Sequence, residues 1–310
     1  MDVLLVSLGS TAGLRAADAE LAAAWRRAGA SVEVVAAARP PEVRTMALTD
    51  LVWARAARRA WRPGARATVW SSVGAALLWP EPGAIRFDAP MAGNRPGRHG
   101  AWQRPVERRR LREASLLLPW SAGGLAEAPG PRAEAVVVPV PVEGEPGAAK
   151  DVAAITYAAD PHKKGLDRVL AAWARARRPG EELVVCGTRG RADGVRFEPL
   201  LPPPAFRALL ARARVFVTAP RREDFGLVQL EALAHGCALV TTASPGPYAA
   251  LPLARALDPR LVGDDLAAGL RAALDDPVPG YAEAAQERLR PFQREATDAA
   301  AAEALQRLLG

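Results

Sequence analysis

Val215-Phe-Val-Thr-Ala219, followed closely by Glu223-Asp-Phe-Gly-Leu-Val-Gln-Leu-Glu231, decides how this chain is read. The first run is apolar and strand-like. Gly226 breaks the extended stretch, and Leu227, Leu230, Leu233 and Ala234 then recur at helical spacing. Glu223 therefore falls in a strand-to-helix loop and Glu231 inside the helix, on or beside its apolar stripe. A carboxylate there is costly unless something donates hydrogen bonds to it. The pair reads as a binding constellation; the bland alternative is a helix-start Glu and a surface Glu brought together by chance.

Outward from this segment, short β-rich runs alternate with helical stretches. The candidate strands are 3–6, 31–35, 68–71, 85–87, 116–118 and 136–140, then 152–157, 183–186, 195–197, 215–218 and 239–242. Helical patterns lie between many of them, for example 16–27 and 166–178. Such alternation predicts an α/β chain with parallel sheets covered on both faces. The stretch Pro141-Val-Glu-Gly-Glu-Pro-Gly-Ala-Ala149 reads as a linker. The expected organisation is a first α/β domain over 1–142, a second over 143–282, and a C-terminal helical segment over 283–310 that returns to the first domain and breaks or kinks at Pro291. Two doubly wound halves predict a cleft, with ligands at the carboxyl ends of the strands.

The chain has 310 residues, half of them apolar, and a formal charge of +7. Its 41 basic residues include only three lysines, Lys150, Lys163 and Lys164. With the heavy use of alanine, that skew points to GC-rich codons rather than to selection for a polyanion. No basic run is interleaved with aromatics, which argues against nucleic acid as a partner. A basic surface still favours phosphates or acidic lipid headgroups. The two cysteines, Cys186 and Cys237, are far apart and imply neither a disulfide framework nor a zinc site. Asp2 stands where a signal peptide would carry positive charge, and no apolar run reaches membrane-spanning length. The expectation is a cytoplasmic protein, with peripheral contact at the inner face of the membrane as a further use of its charge.

Tyr157-Ala-Ala-Asp-Pro-His-Lys-Lys-Gly-Leu-Asp167 sets Lys163 and Lys164 at a second strand-to-helix junction. Lysine is a compact charge on a flexible stem and suits a phosphate that shifts during reaction. Positive charge opposes the dipole at a helix start, which weakens the reading of a merely solvated pair. Phe225, Gly226 and Leu227 lead into the Glu231 helix, whose free amides suit a second phosphate. Glu223 would then face the group attached to a diphosphate, and Glu231 would accept hydrogen bonds from ribose hydroxyls. A nucleoside diphosphate sugar uses every one of these parts.

The Glu-x7-Glu segment, the Lys-Gly-Leu-Asp helix start and the Pro245-Gly246-Pro247 loop resemble the family-4 retaining glycosyltransferases of the GT-B fold. The resemblance is strong over about 150–260, the family's donor-binding half, and weaker through Ala114-Ser-Leu-Leu-Leu-Pro-Trp-Ser121 and Val136-Val-Val-Pro-Val-Pro-Val142. It implies two Rossmann-like domains facing across a cleft. It implies too that Glu223 contacts the donor sugar, Glu231 the ribose, and Lys163 or Lys164 the diphosphate. Where the family usually carries an Arg about five residues before the Lys, this chain has Ala158-Ala159, leaving Arg221 or Arg222 to substitute. Where the family's acceptor half often supplies a His, Arg86-Phe-Asp88 leaves Asp88 as the nearest polar group.

The first βα loop, Leu8-Gly-Ser-Thr-Ala-Gly13, lacks a full dinucleotide fingerprint; in a GT-B enzyme Gly9 would let the backbone approach donor or acceptor. Asn94, Arg95, His99 and Trp102, in a long polar stretch without periodicity, are acceptor-site candidates or residues of a surface loop. His235 reads as a C-terminal cap. No Asp-x-Asp pair occurs, so cationic side chains and helix amides would take the role of a metal ion. The expected function is transfer of a hexose, with retention and without metal or other cofactor, from a UDP- or GDP-linked donor to a sugar, lipid-linked or small-molecule acceptor. The rivals are a catalytically impaired nucleotide-sugar-binding protein and another GT-B enzyme, such as an epimerase or hydrolase.

Overall fold

The computed structural model describes residues 1–130, 133–147 and 149–310. It divides into two compact units, Met1–Pro141 with Arg294–Gly310, and Val142–Gln293. Each is built on a five-stranded parallel sheet with helices on both faces.

In the first unit the order is β1 (Val3–Ser7), α1 (Ala12–Arg27), β2 (Val32–Ala36), α2 (Met46–Ala60), β3 (Ala67–Trp70), α3 (Val73–Ala76), β4 (Ala84–Phe87), α4 (Gln103–Glu113), β5 (Leu117–Pro119) and α5 (Ala122–Ala126). The sheet order is β2-β1-β3-β4-β5. Alternate residues of β1 feed opposite faces: Leu4 and Val6 join one buried cluster, Val3 and Leu5 the other. A strand covered on both sides has no polar face, which is why it reads as an unbroken apolar run.

The stretch 136–140, expected as a strand, is not one. Val136 and Val138 donate to the carbonyls of Leu117 and Pro119, each at 2.9 Å, so the chain does run along β5. Pro119 has no amide to return the intervening bond, and only an isolated bridge between Leu117 and Ala135 remains.

The second unit contains β6 (Val152–Tyr157), α6 (Leu166–Ala176), β7 (Leu183–Cys186), β8 (Val195–Glu198), α7 (Pro203–Arg212), β9 (Ala213–Thr218), α8 (Leu227–Ala234), β10 (Ala238–Thr241), α9 (Ala250–Leu257), α10 (Leu266–Asp275) and α11 (Tyr281–Arg288). Its sheet order is β10-β9-β6-β7-β8. The stretch expected as a linker is fastened to this unit over its described residues. Val142 donates to the Phe292 carbonyl, the Gln286 amide donates to the Gly144 carbonyl, and His235 Nδ1 lies 3.0 Å from the Glu145 carbonyl.

Around Pro291 the helical pattern is interrupted by a 3-10 turn, Arg290–Phe292. Beyond it α12 (Arg294–Leu309) packs in the first unit against α1. There Trp25 Nε1 donates to the Ala301 carbonyl at 2.8 Å and Arg27 pairs with Asp298 at 2.6 Å. Residues 283–293 thus belong with the second unit and 294–310 with the first, rather than forming one segment. No helix among the described residues is long and apolar enough to cross a membrane.

Candidate active site of the second unit

β10, β9 and β6 are neighbours in the sheet, and the loops leaving their carboxyl ends meet. A Cβ built on Gly165, which caps α6 at φ 64°, would come within 1.9 Å of the Ala219 carbonyl oxygen just after β9. Only glycine lets the start of α6 sit this close to β9. The two loops are also joined by the Arg221 amide, which donates to the Lys163 carbonyl at 2.9 Å. From the other side, Glu223 donates its amide to the Pro245 carbonyl at 3.0 Å, and its own carbonyl accepts from Tyr248 at 3.3 Å. The three sequence segments that carry the family resemblance are therefore one structural cluster.

Its charges are paired. Lys164 Nζ lies 2.6 Å from Glu223 Oε2, and Gln229 Nε2 donates to the same oxygen at 2.8 Å. Asp224 accepts from Arg222 Nε at 2.7 Å and lies 3.4 Å from Lys163 Nζ. Arg221 forks onto both oxygens of Asp167, at 3.0 and 2.8 Å. Glu223 and Asp224 are buried, whereas the Lys163 side chain is 41% exposed. Burying a carboxylate is tolerable only with such partners, and an exposed lysine beside them remains available to an arriving anion.

α8 begins at Gly226, at φ 88°, with no side chain capping its first amides. A Cβ there would lie 3.0 Å from the Tyr248 ring. Tyr248 itself is buried at φ 29°, a left-handed conformation that costs a non-glycine residue about 1–3 kcal/mol. Its hydroxyl is held by Thr241 at 2.7 Å, so it anchors the 245–248 loop over the start of α8. Farther along α8, Glu231 is mostly buried, and burial pushes its carboxyl above the usual range. Arg207 Nη2, 3.9 Å away, offsets part of that shift. A ligand hydroxyl donating to this carboxylate would relieve the same cost.

Of the residues read from sequence, the structure brings together Glu223, Lys163, Lys164, Arg222, Gly226 and Leu227, with Glu231 on the same helix. Phe225 lies in the loop, but its ring is buried edge-on against Phe292, 6.0 Å between centroids, and anchors the loop. Gly9 and Asp88 lie in the other unit. Gly9 follows β1, its carbonyl accepts from Arg15 Nη1 at 2.7 Å, and it lines an open cavity of about 610 Å³ with Arg15, Arg39 and Trp53. Asp88 follows β4 and accepts from the Ala89 amide at 2.8 Å.

The acceptor candidates Arg95 and Trp102 are committed elsewhere: Arg95 forks onto Asp50 and Trp102 donates to the Ala47 carbonyl. Sequence reading passed over Gln229, Asp224, Asp167 and Tyr248. Gln229 and Asp224 stand inside the quoted Glu223–Glu231 segment, and only the direction of their side chains was missing.

Comparison with known proteins agrees with this geometry. Residues 150–276 match the family model described as glycosyl transferases group 1. A glycogen synthase of Mycobacterium tuberculosis (strain CDC 1551 / Oshkosh) is 34% identical over 154 residues, covering 44% of this chain and 36% of that protein. The match thus spans about a third of the curated relative.

Among solved structures, sucrose-phosphate synthase from Thermosynechococcus elongatus superposes with a TM-score of 0.77 at 16% identity, covering 99% of each chain. WaaG, a glycosyltransferase involved in lipopolysaccharide biosynthesis, gives 0.72 at 15% identity over 100% of each chain. Anabaena HepE, solved with UDP and glucose, gives 0.71 at 14% identity over 99% of each. The fold is that of the GT-B glycosyltransferases.

Proposed function

We propose that this chain is a retaining, metal-independent hexosyltransferase that takes its sugar from a UDP- or GDP-linked donor. The observation that carries the reading is the Lys164–Glu223 contact at 2.6 Å beside the uncapped start of α8, with Glu231 on the same helix. Lys163, Lys164 and the amides of Gly226 and Leu227 hold the diphosphate; Glu231 accepts from the ribose hydroxyls; Glu223 accepts from the sugar. As the glycosidic bond to phosphate breaks, negative charge grows on the leaving diphosphate, where preorganised cations and helix amides stabilise it most. The acceptor attacks on the face the phosphate leaves, and that phosphate takes its proton. Gly9 and Asp88 belong to the acceptor side. The acceptor is a sugar, a lipid-linked sugar or a small molecule, and the surplus of arginine suits contact with an anionic membrane surface.

A second reading, a nucleotide-sugar-binding protein impaired in catalysis, has one observation in its favour. Both arginines that could replace the missing one are held by carboxylates, Arg221 by Asp167 and Arg222 by Asp224.

Thermal-shift measurements with UDP-, GDP- and ADP-sugars in EDTA test the reading, because a ligand of the folded state raises stability by mass action. One base is expected to raise Tm, and nucleotide release from its sugar to change by no more than a few-fold when EDTA replaces manganese. Absence of any shift would remove the donor site. Activity lost in EDTA and restored by manganese would overturn metal independence. Binding without turnover over a panel of acceptors would select the second reading.

A further inference from the structure

Both side-chain donors to Glu223 fall on one oxygen. Lys164 Nζ and Gln229 Nε2 approach Oε2 at 2.6 and 2.8 Å, and no described side chain donates to Oε1. Gln229 is 1% exposed and sits on α8 between Gly226 and Glu231, with its Nε2 on Glu223 and its Oε1 buried without a hydrogen-bond partner among the described residues. A glutamine amide has no net charge, so burying it here costs far less than burying a second cation. It still fixes the plane of the carboxylate. Two donors at a definite angle on Oε2 set where Oε1 points, whereas a flexible lysine alone would let the group swing.

We propose that Gln229 is a positioning residue for the transfer reaction: with Lys164 it immobilises Glu223 through Oε2, so that Oε1 alone is presented to the hydroxyls of the donor sugar. The inference rests on the donor-site reading above and extends it to a residue that touches neither nucleotide nor sugar. It gives Lys164 two tasks, one on the diphosphate and one on Glu223. Sugar geometry and phosphate charge are thereby sensed by a single ion pair.

The test compares the wild type with Gln229→Met, which keeps length and removes the donor, and Gln229→Glu, which keeps shape and reverses the donor. UDP affinity is measured by calorimetry, and UDP release from UDP-glucose gives kcat and KM. If UDP and UDP-glucose fail to bind the wild type, GDP and GDP-glucose are used in the same way. In Gln229→Met, kcat should fall about ten- to hundred-fold, the scale of one hydrogen bond to a charged group, with nucleotide Kd within two-fold. A residue that merely packs α8 would weaken nucleotide binding as well.

Gln229→Glu supplies the sharper signature. At pH 8 two carboxylates face each other and turnover should be lost. As pH falls toward 5.5 the new carboxyl takes a proton and can donate to Oε2 again, so its activity relative to wild type should climb. Wild-type kcat in Gln229→Met, or a Gln229→Glu profile parallel to wild type, would overturn the positioning role and leave the donor site standing. A wild type that binds no nucleotide and no nucleotide sugar would overturn the donor site, and the inference with it.

Discussion

The two units share an architecture and use their charge in opposite ways. In the second unit, carboxylates at the strand ends meet cations that reach the surface: Glu223 with Lys164, Asp224 with Lys163 and Arg222. In the first unit the equivalent polar chemistry is sealed inside. Asp18 and Arg86 are paired at 3.4 Å with side chains 2% and 1% exposed, Ser7 Oγ donates to Asp18 at 2.5 Å, and the Arg86 guanidinium lies 4.9 Å over the Trp120 ring. Burial works against both charges, raising the Asp18 carboxyl and pulling Arg86 down to about 10. Glu107, also buried, accepts the amides of Met91 and Ala92 and so fastens the 88–102 stretch to α4. A doubly wound α/β unit can thus hold ion pairs as structure or offer them as a site. Access to solvent, not the residue types, separates the two.

The largest effect that would break this contrast is loss of Arg86. Arg86→Ala should destabilise the chain by about 3–5 kcal/mol, the cost of leaving a buried charge unpaired. Urea unfolding reads it directly. The paired change Asp18→Leu with Arg86→Met should recover most of the loss, since apolar replacement of a buried pair is often neutral. A single variant as stable as wild type would show that the pair is not structural.

Next in size is Glu107. Burial pushes its carboxyl from 4.5 up to about 7, against the amides of Met91 and Ala92 and the charges of Arg108 and Arg95, which pull it down. A raised acid holds its proton longer in the folded state, so this group favours folding below about pH 4.5 and loses that contribution as pH rises to about 7. The loss amounts to about 3 kcal/mol across the window. Glu107→Gln, which cannot ionise, should flatten the decline between pH 5 and pH 8 in urea midpoints. An identical slope in both proteins would remove Glu107 as its source.

In the second unit the effects should appear in turnover. Lys163→Ala with Lys164→Ala should cut the rate by about 10²-fold with any acceptor, as loss of transition-state donors does. Near-normal turnover would make the lysines a solvated surface. The smallest effect is on affinity. Glu231→Ala should weaken binding of the bare nucleotide about ten-fold, the scale of charge-assisted hydrogen bonds, and calorimetry giving unchanged affinity would take Glu231 out of the ribose site.

Much of the second unit was legible before its structure. Gly165 and Gly226 mark the helix starts, Lys163 and Lys164 stand at one of them, and the Glu223–Glu231 spacing sets one carboxylate in a loop and the other on a helix. Each feature is local, governed by backbone freedom and helical period. The first unit was less legible for the opposite reason. Arg95 and Trp102 looked like acceptor groups until Asp50 and the Ala47 carbonyl, about fifty residues away, proved to hold them. Arg86 stood out only as the neighbour of Asp88, and its partner on α1 lies 68 positions distant. The 136–140 strand failed on a partner's chemistry, the amide Pro119 does not have.

By itself, then, the sequence determined the alternation of strand and helix, the break at Pro291 and the residue types gathered at the strand ends, because these follow from hydrophobic period and φ restrictions over a few residues. Tertiary structure alone decided which cation meets which carboxylate, that Gln229 and Lys164 share one oxygen of Glu223, and which residues of α1 hold α12. Those outcomes depend on the direction of side chains across long sequence separations. A buried charge must find its partner wherever the fold supplies one, and spacing along the chain does not encode that choice.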